Sequence, residues 1–127
     1  MKNTLSFASI SGLLCVVFGA FGAHGLKPLL TAQMLATFET GVRYQFYHSL
    51  ALILIVVLYQ FNKNNKLVTA SWFFITGIVL FSGSLYLLAL TSINENTWHW
   101  LGPITPFGGV CFIIGWVYLF LSAKSFN

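Results

Sequence analysis

Acidic residues are almost absent: the chain has no aspartate and two glutamates, Glu39 and Glu95, against five lysines and a single arginine, Arg43. Charged residues make up 6% of the sequence, far below the roughly 25% that keeps the surface of a soluble domain wet. A soluble enzyme domain is therefore excluded. No carboxylate falls deep inside an apolar run, which argues against a proton-coupled antiporter working through a central Glu or Asp. The two cysteines, Cys15 and Cys111, lie inside apolar runs without a Cys-x-x-Cys spacing, so they read as small buried hydrophobes and not as redox centres. The basic residues sit at the ends of apolar segments and do not form a wettable patch, so the net charge of +4 does not point to nucleic acid.

What is present is long apolar runs. Residues 3–26, 44–62, 67–94 and 96–123 carry no charged side chain, and each is long enough for the roughly 20 residues that cross a bilayer core as a helix. The expected spans are about 5–23, 42–61, 67–91 and 105–123, leaving almost no chain for a soluble domain. The fold class follows: an all-α integral membrane protein, a compact antiparallel bundle of four transmembrane helices.

Several local features place the helix ends. A basic start and the small residues around Ala20 and Gly22 also suit a signal peptide, but Gly12 and Gly19, seven apart, suit close packing of an uncleaved helix. Gly25 and Pro28 predict the end of the first span. Leu30, Met34 and Phe38 recur every four residues and predict a short interfacial helix before span two. Residues 62–66 form a polar turn. Ser82, Gly83 and Ser84 in span three, with Gly108 and Gly115 in span four, are further small residues suited to helix packing. Thr105 before Pro106 has the form of a helix cap, and the exposed amides of that helix start suit an anion such as a lipid phosphate. Lys2, Lys63, Lys66 and Lys124 fall on one side and Lys27 and Arg43 on the other, which places both termini in the cytoplasm.

On this topology His24, Glu39, Arg43, Tyr44, Gln45, Tyr47, His48 and His99 belong to the outer half, where a ligand site would open. Glu39 and Arg43 are four apart and suited to an ion pair. Arg43, Tyr44, Tyr47 and His48 share a sector of about 140°, with Gln45 and Ser49 on the other flank. The competing reading is a headgroup-level collar whose polar side chains bond to neighbouring helices. The histidines come from three segments without a ligand spacing, and only His48 lies within a span, so neither a metal site nor a haem is expected. Ser82 and Ser84 have only His48 as a distant base, which gives no hydrolase signature. The sequence therefore assigns no catalytic residue and no cofactor.

Four ordered blocks carry a family likeness: residues 19–26 (GAFGAHGL), 44–51 (YQFYHSLA), 80–86 (LFSGSLY) and 102–109 (GPITPFGG). In that order they resemble the small bacterial inner-membrane proteins of YgdD and YwdK type, a family of unknown function with a mitochondrial transmembrane relative. The resemblance implies four spans in a bacterial plasma membrane and supplies no catalytic residues. The function expected is non-enzymatic support of a membrane assembly or of membrane integrity. The partners expected are membrane lipids and either a second copy or another membrane protein. The alternative is a binder or transporter of a small molecule, lipid headgroup or metal.

Overall fold

The computed structural model describes residues 1–124, and among them there is no strand. Helix α1 (Lys2–Phe21) continues through a widened π turn (Gly22–Leu26), and α2 spans Ala32–Phe61. Helix α3 (Asn65–Gly77), a second π turn (Ile78–Ser82) and α4 (Gly83–Thr91) together make the third span. Two 3-10 turns, Ser92–Asn94 and His99–Leu101, lead into α5 (Ile104–Ala123). Four helices are thus long and apolar enough to cross a membrane: Lys2–Leu26, Ala32–Phe61, Asn65–Asn94 and His99–Ala123.

Spans two and three are the middle of the bundle, 44% and 39% buried, whereas spans one and four are 22% and 17% buried and flank them. Met1 and Lys2 share a cavity wall with Tyr59 and Trp72, and the Lys66 ammonium donates to the Leu121 carbonyl at 3.2 Å. Both ends of the described chain therefore lie at the end of the bundle that carries the 62–64 turn. A lysine capping the last carbonyls of α5 also complements the helix dipole. The opposite, loop-rich end carries the 27–31 and 92–103 connections.

The first two spans differ from expectation at the loop-rich end. No separate interfacial helix forms. Its residues are the opening turns of α2, which is capped by the Thr31 hydroxyl accepting from the Met34 amide at 3.2 Å. The reason is burial: Leu30 and Phe38 pack with Leu26 and Ala89 in a second small core, with Met34 against it. At 30 residues α2 is ~45 Å long, so its first turns stand beyond a ~30 Å hydrocarbon core. Gly25 is not a left-handed cap, since no glycine among the described residues has positive φ, and the first span runs on to Leu26.

The glycines named for packing differ in their surroundings: those of span four sit in close approaches, and those of spans one and three do not. A methyl on Gly108 would lie 2.7 Å from the Phe81 Cα, and one on Gly115 would lie 2.5 Å from the Phe74 ring. Gly77, on the facing helix, receives the Phe112 ring in the same manner. These close approaches bring α3 and α5 together. Gly12 and Gly83, by contrast, have nothing within 4 Å, and Gly19 makes only an ordinary 3.8 Å approach to Val42. The stripe of α1 that faces α2 is instead Thr4, Ala8, Ser11 and Cys15, all buried, at the 4-3-4 spacing of a helix seam.

Candidate functional site

The polar residues of the spans meet in two places, both centred on α2. Gln45 lies four residues before Ser49, so both face α1 and the third span. The Gln45 amide nitrogen donates to the Ser11 carbonyl at 3.0 Å and lies 3.1 Å from the Ser11 hydroxyl. Its amide oxygen accepts from the Tyr86 hydroxyl at 2.6 Å. The Ser49 hydroxyl lies 2.7 Å from both the Ser11 hydroxyl and the Gln45 carbonyl. One glutamine thereby joins spans one, two and three.

Ser82 and Ser84 extend the stitching. Two residues apart on a helix means about 200°, so they face opposite neighbours. Ser82 donates to the Gly41 carbonyl of α2 at 2.8 Å, and Ser84 pairs with the Thr105 hydroxyl of α5 at 2.7 Å. Gly83, between them, turns to neither helix, which explains its open surroundings. Thr105 is accordingly a bridging residue and not a helix cap; α5 starts at Ile104 without a side-chain cap bond.

The second cluster surrounds His48, 4% exposed. Its ring stacks on Phe112 with centroids 3.5 Å apart and planes 7° apart, and Phe74 approaches at 5.2 Å. Its Nδ1 lies 2.7 Å from the Tyr44 carbonyl, and its Nε2 lies 3.1 Å from the Trp116 indole nitrogen. A carbonyl only accepts and an indole N–H only donates, so the proton must sit on Nδ1 while Nε2 accepts. Both nitrogens are committed, leaving no lone pair for a metal and no free base for a serine. Tyr44 packs on Phe81 at 4.7 Å. Together with Tyr47, Phe112, Ile113 and Trp116 these residues line a cavity of about 640 Å³ that opens between α2 and α5.

The remaining expected site residues do not join these clusters. His24 is exposed in the π turn that ends span one and His99 is exposed on the 92–103 connection, and no three His, Cys, Asp or Glu side chains converge among the described residues. Glu39 and Arg43 line a separate groove of about 370 Å³ between α1 and α2. Among the described residues neither has an ion-pair or hydrogen-bond partner, so the pair expected from their spacing is not made. Gln45 and His48, candidates both for ligand contact and for bonding to neighbouring helices, make interhelical bonds, and His48 also lines the aromatic cavity. The residues not anticipated are Ser11, Tyr86, Phe112 and Trp116. Trp116 carried a usable signal, because an indole N–H in the middle of an apolar span requires an acceptor. Ser11 carried another, seven residues after Thr4 on one helix face.

Fold and site together define a polytopic membrane protein, a four-helix bundle whose interior polar groups bond to one another. Residues 18–109 match the family described as "Protein of unknown function (DUF423)", and the chain belongs to that family. It is 42% identical over 127 residues to the UPF0382 membrane protein YwdK of Bacillus subtilis, covering 99% of each chain. It is 43% identical over 121 residues to a UPF0382 membrane protein of Haemophilus influenzae, covering 94% of this chain and 92% of the relative. The UPF0382 inner membrane protein YgdD of Escherichia coli is 40% identical over 119 residues, covering 94% of this chain and 87% of the relative. No solved structure is detectably similar.

Proposed function

We propose that the protein performs no chemistry of its own and supports a membrane assembly, or the integrity of the bilayer, by packing against a partner membrane protein or a second copy. One observation carries this reading: the described residues include no buried side-chain nitrogen or oxygen without a hydrogen-bond partner. Ser82, Ser84, Gln45 and His48, the groups a membrane enzyme would deploy, are all committed to neighbouring helices. What is left uncommitted is surface. On the flanking α1, half-buried Gly12 has open space where a side chain would go, beside exposed Leu13 and Val16, a face open to another helix.

Site-directed crosslinking in native membranes tests the proposal. A crosslinked dimer or heteromer that is lost in Gly12→Leu, while the monomer still accumulates, is the expected result. Persistence of an uncrosslinked monomer with probes placed around α1 and α5 would sink it. The same reading places the protein in the bacterial plasma membrane with both termini cytoplasmic, on the strength of Lys2, Lys63, Lys66 and Lys124 at one end. A cysteine at position 96 should react with an impermeant maleimide from outside and one at position 63 should not.

The aromatic cavity favours a second reading, binding of an apolar ligand between α2 and α5. At about 640 Å³ it is of the size that holds a small molecule. Ile113→Trp, filling it from an exposed wall, should then displace a co-purifying ligand without unfolding the bundle.

A further inference from the structure

The groove between α1 and α2 has a different character from the aromatic cavity. Its floor is apolar, built from Phe18, Gly19, Val42 and Phe46, and its two charged wall residues are Glu39 and Arg43. They are the only arginine and one of two glutamates in the protein. Both are exposed, and neither is satisfied by the other or by any described residue. Two opposite charges on the wall of an apolar groove at headgroup depth complement a partner that brings both signs and a hydrocarbon tail.

Depth fixes the order of the signs. Helix α2 enters the bundle from its Thr31 end, so Glu39 lies farther from the bundle middle than Arg43, by about 6 Å along the axis. The apolar floor continues inward from Arg43 to Phe46 and, on the antiparallel α1, from Gly19 to Cys15. A phospholipid presents the same sequence of groups from water to tail: the amine outermost, the phosphate next, the acyl chain below. We propose that this groove binds a phospholipid with a primary-ammonium headgroup, of the phosphatidylethanolamine class. Arg43 takes the phosphate, for which a guanidinium has the matching geometry. Glu39 takes the ammonium, and one acyl chain lies along Val42 and Phe46. A choline headgroup has no N–H to give Glu39, and a glycerol headgroup has no positive charge for it.

The structure also supplies a way to close the groove without disturbing the core. A side chain at Gly19 would start 3.8 Å from Val42, an ordinary contact, and extend into the groove.

Native mass spectrometry of the protein from nanodiscs with equal phosphatidylethanolamine, phosphatidylcholine and phosphatidylglycerol of identical chains tests this. The wild type should retain one phosphatidylethanolamine, enriched about threefold over each competitor, the scale of one partly exposed ion pair. Glu39→Gln should erase the preference over phosphatidylcholine. Arg43→Gln and Gly19→Leu should lower retention of all three, with an unchanged circular-dichroism spectrum for every variant. Equal retention of the three lipids by the wild type overturns the proposal, as does a preference for phosphatidylglycerol, which would make Arg43 a simple cationic contact. A preference that survives all three substitutions places the lipid elsewhere and also overturns it. A copurifying protein that occupies the groove in place of lipid would do the same.

Discussion

The indole N–H of Trp116 points at Nε2 of His48 across 3.1 Å, joining the middle of α5 to the middle of α2. Because the other imidazole nitrogen is held by the Tyr44 carbonyl at 2.7 Å, this single contact fixes both the tautomer and the ring plane that stacks on Phe112. A histidine that the sequence offers either as a binding-site residue or as a contact to neighbouring helices is thereby a fastener between helices.

That arrangement predicts an asymmetry between single and double substitutions. Trp116→Phe leaves Nε2 of His48 buried without a donor and should destabilise the bundle by about 1–3 kcal/mol. His48→Phe strands the indole N–H and should cost a similar amount. The double variant removes both polar groups and should be less destabilised than the sum of the two. Unfolding from bicelles measures all three, and nitrogen-15 NMR of His48 should show the proton on Nδ1.

Gln45 is the residue whose loss should be felt by the most helices. Gln45→Leu strands the Tyr86 hydroxyl and removes the donor to Ser11 in one step. Interhelical hydrogen bonds in membranes are worth about 0.6–2 kcal/mol, so a loss of about 1–3 kcal/mol is expected for the pair. Ser82→Ala removes one bond, to the Gly41 carbonyl, and should cost less. The same unfolding assay ranks them, and equal effects would show that the three-helix network does not act as drawn.

The glycines separate into two groups by experiment. Gly108→Ala drives a methyl into the Phe81 backbone, which has no rotamer to yield, and should cost about 1–3 kcal/mol or displace α5. Gly12→Ala and Gly83→Ala meet nothing and should be neutral or slightly stabilising, since alanine favours a helix by up to about 1 kcal/mol over glycine. Expression level and thermal stability in detergent report the difference.

Glu95 is the one described non-glycine residue with positive φ, 57°, where the chain turns from the Ser92–Asn94 turn toward Trp98. A left-handed conformation costs an ordinary side chain about 1–2 kcal/mol. Glu95→Gly should therefore match or exceed the wild type in thermal stability. A clear loss would mean that the carboxylate contributes more than the strained backbone costs.

Most of the fold was legible because the bilayer imposes it. Four charge-free runs must become helices, since no other structure satisfies the backbone in lipid. Short connections then make neighbours antiparallel. Even the mistaken interfacial helix came from a correct observation, the stripe of Leu30, Met34 and Phe38. The sequence shows that the stripe is apolar; only the packing shows that it faces Leu26 and Ala89 and not the membrane surface.

The site was half legible. Periodicity alone separated Gln45 and Ser49 from the flank carrying Arg43, Tyr44, Tyr47 and His48. It did not reveal that Ser11 and Tyr86 wait for Gln45, or that Trp116 waits for His48, because those partners lie 34 to 68 residues away. Nor could spacing show that Glu39 and Arg43 lie unpaired on one groove. The sequence by itself determined that this is a four-span membrane protein, because apolar length and charge placement are local properties that lipid reads directly. Which polar residues are spent inside the bundle and which face outward was decided by the tertiary structure, because a hydrogen-bond partner on another helix is a matter of rotation and depth that no single segment contains.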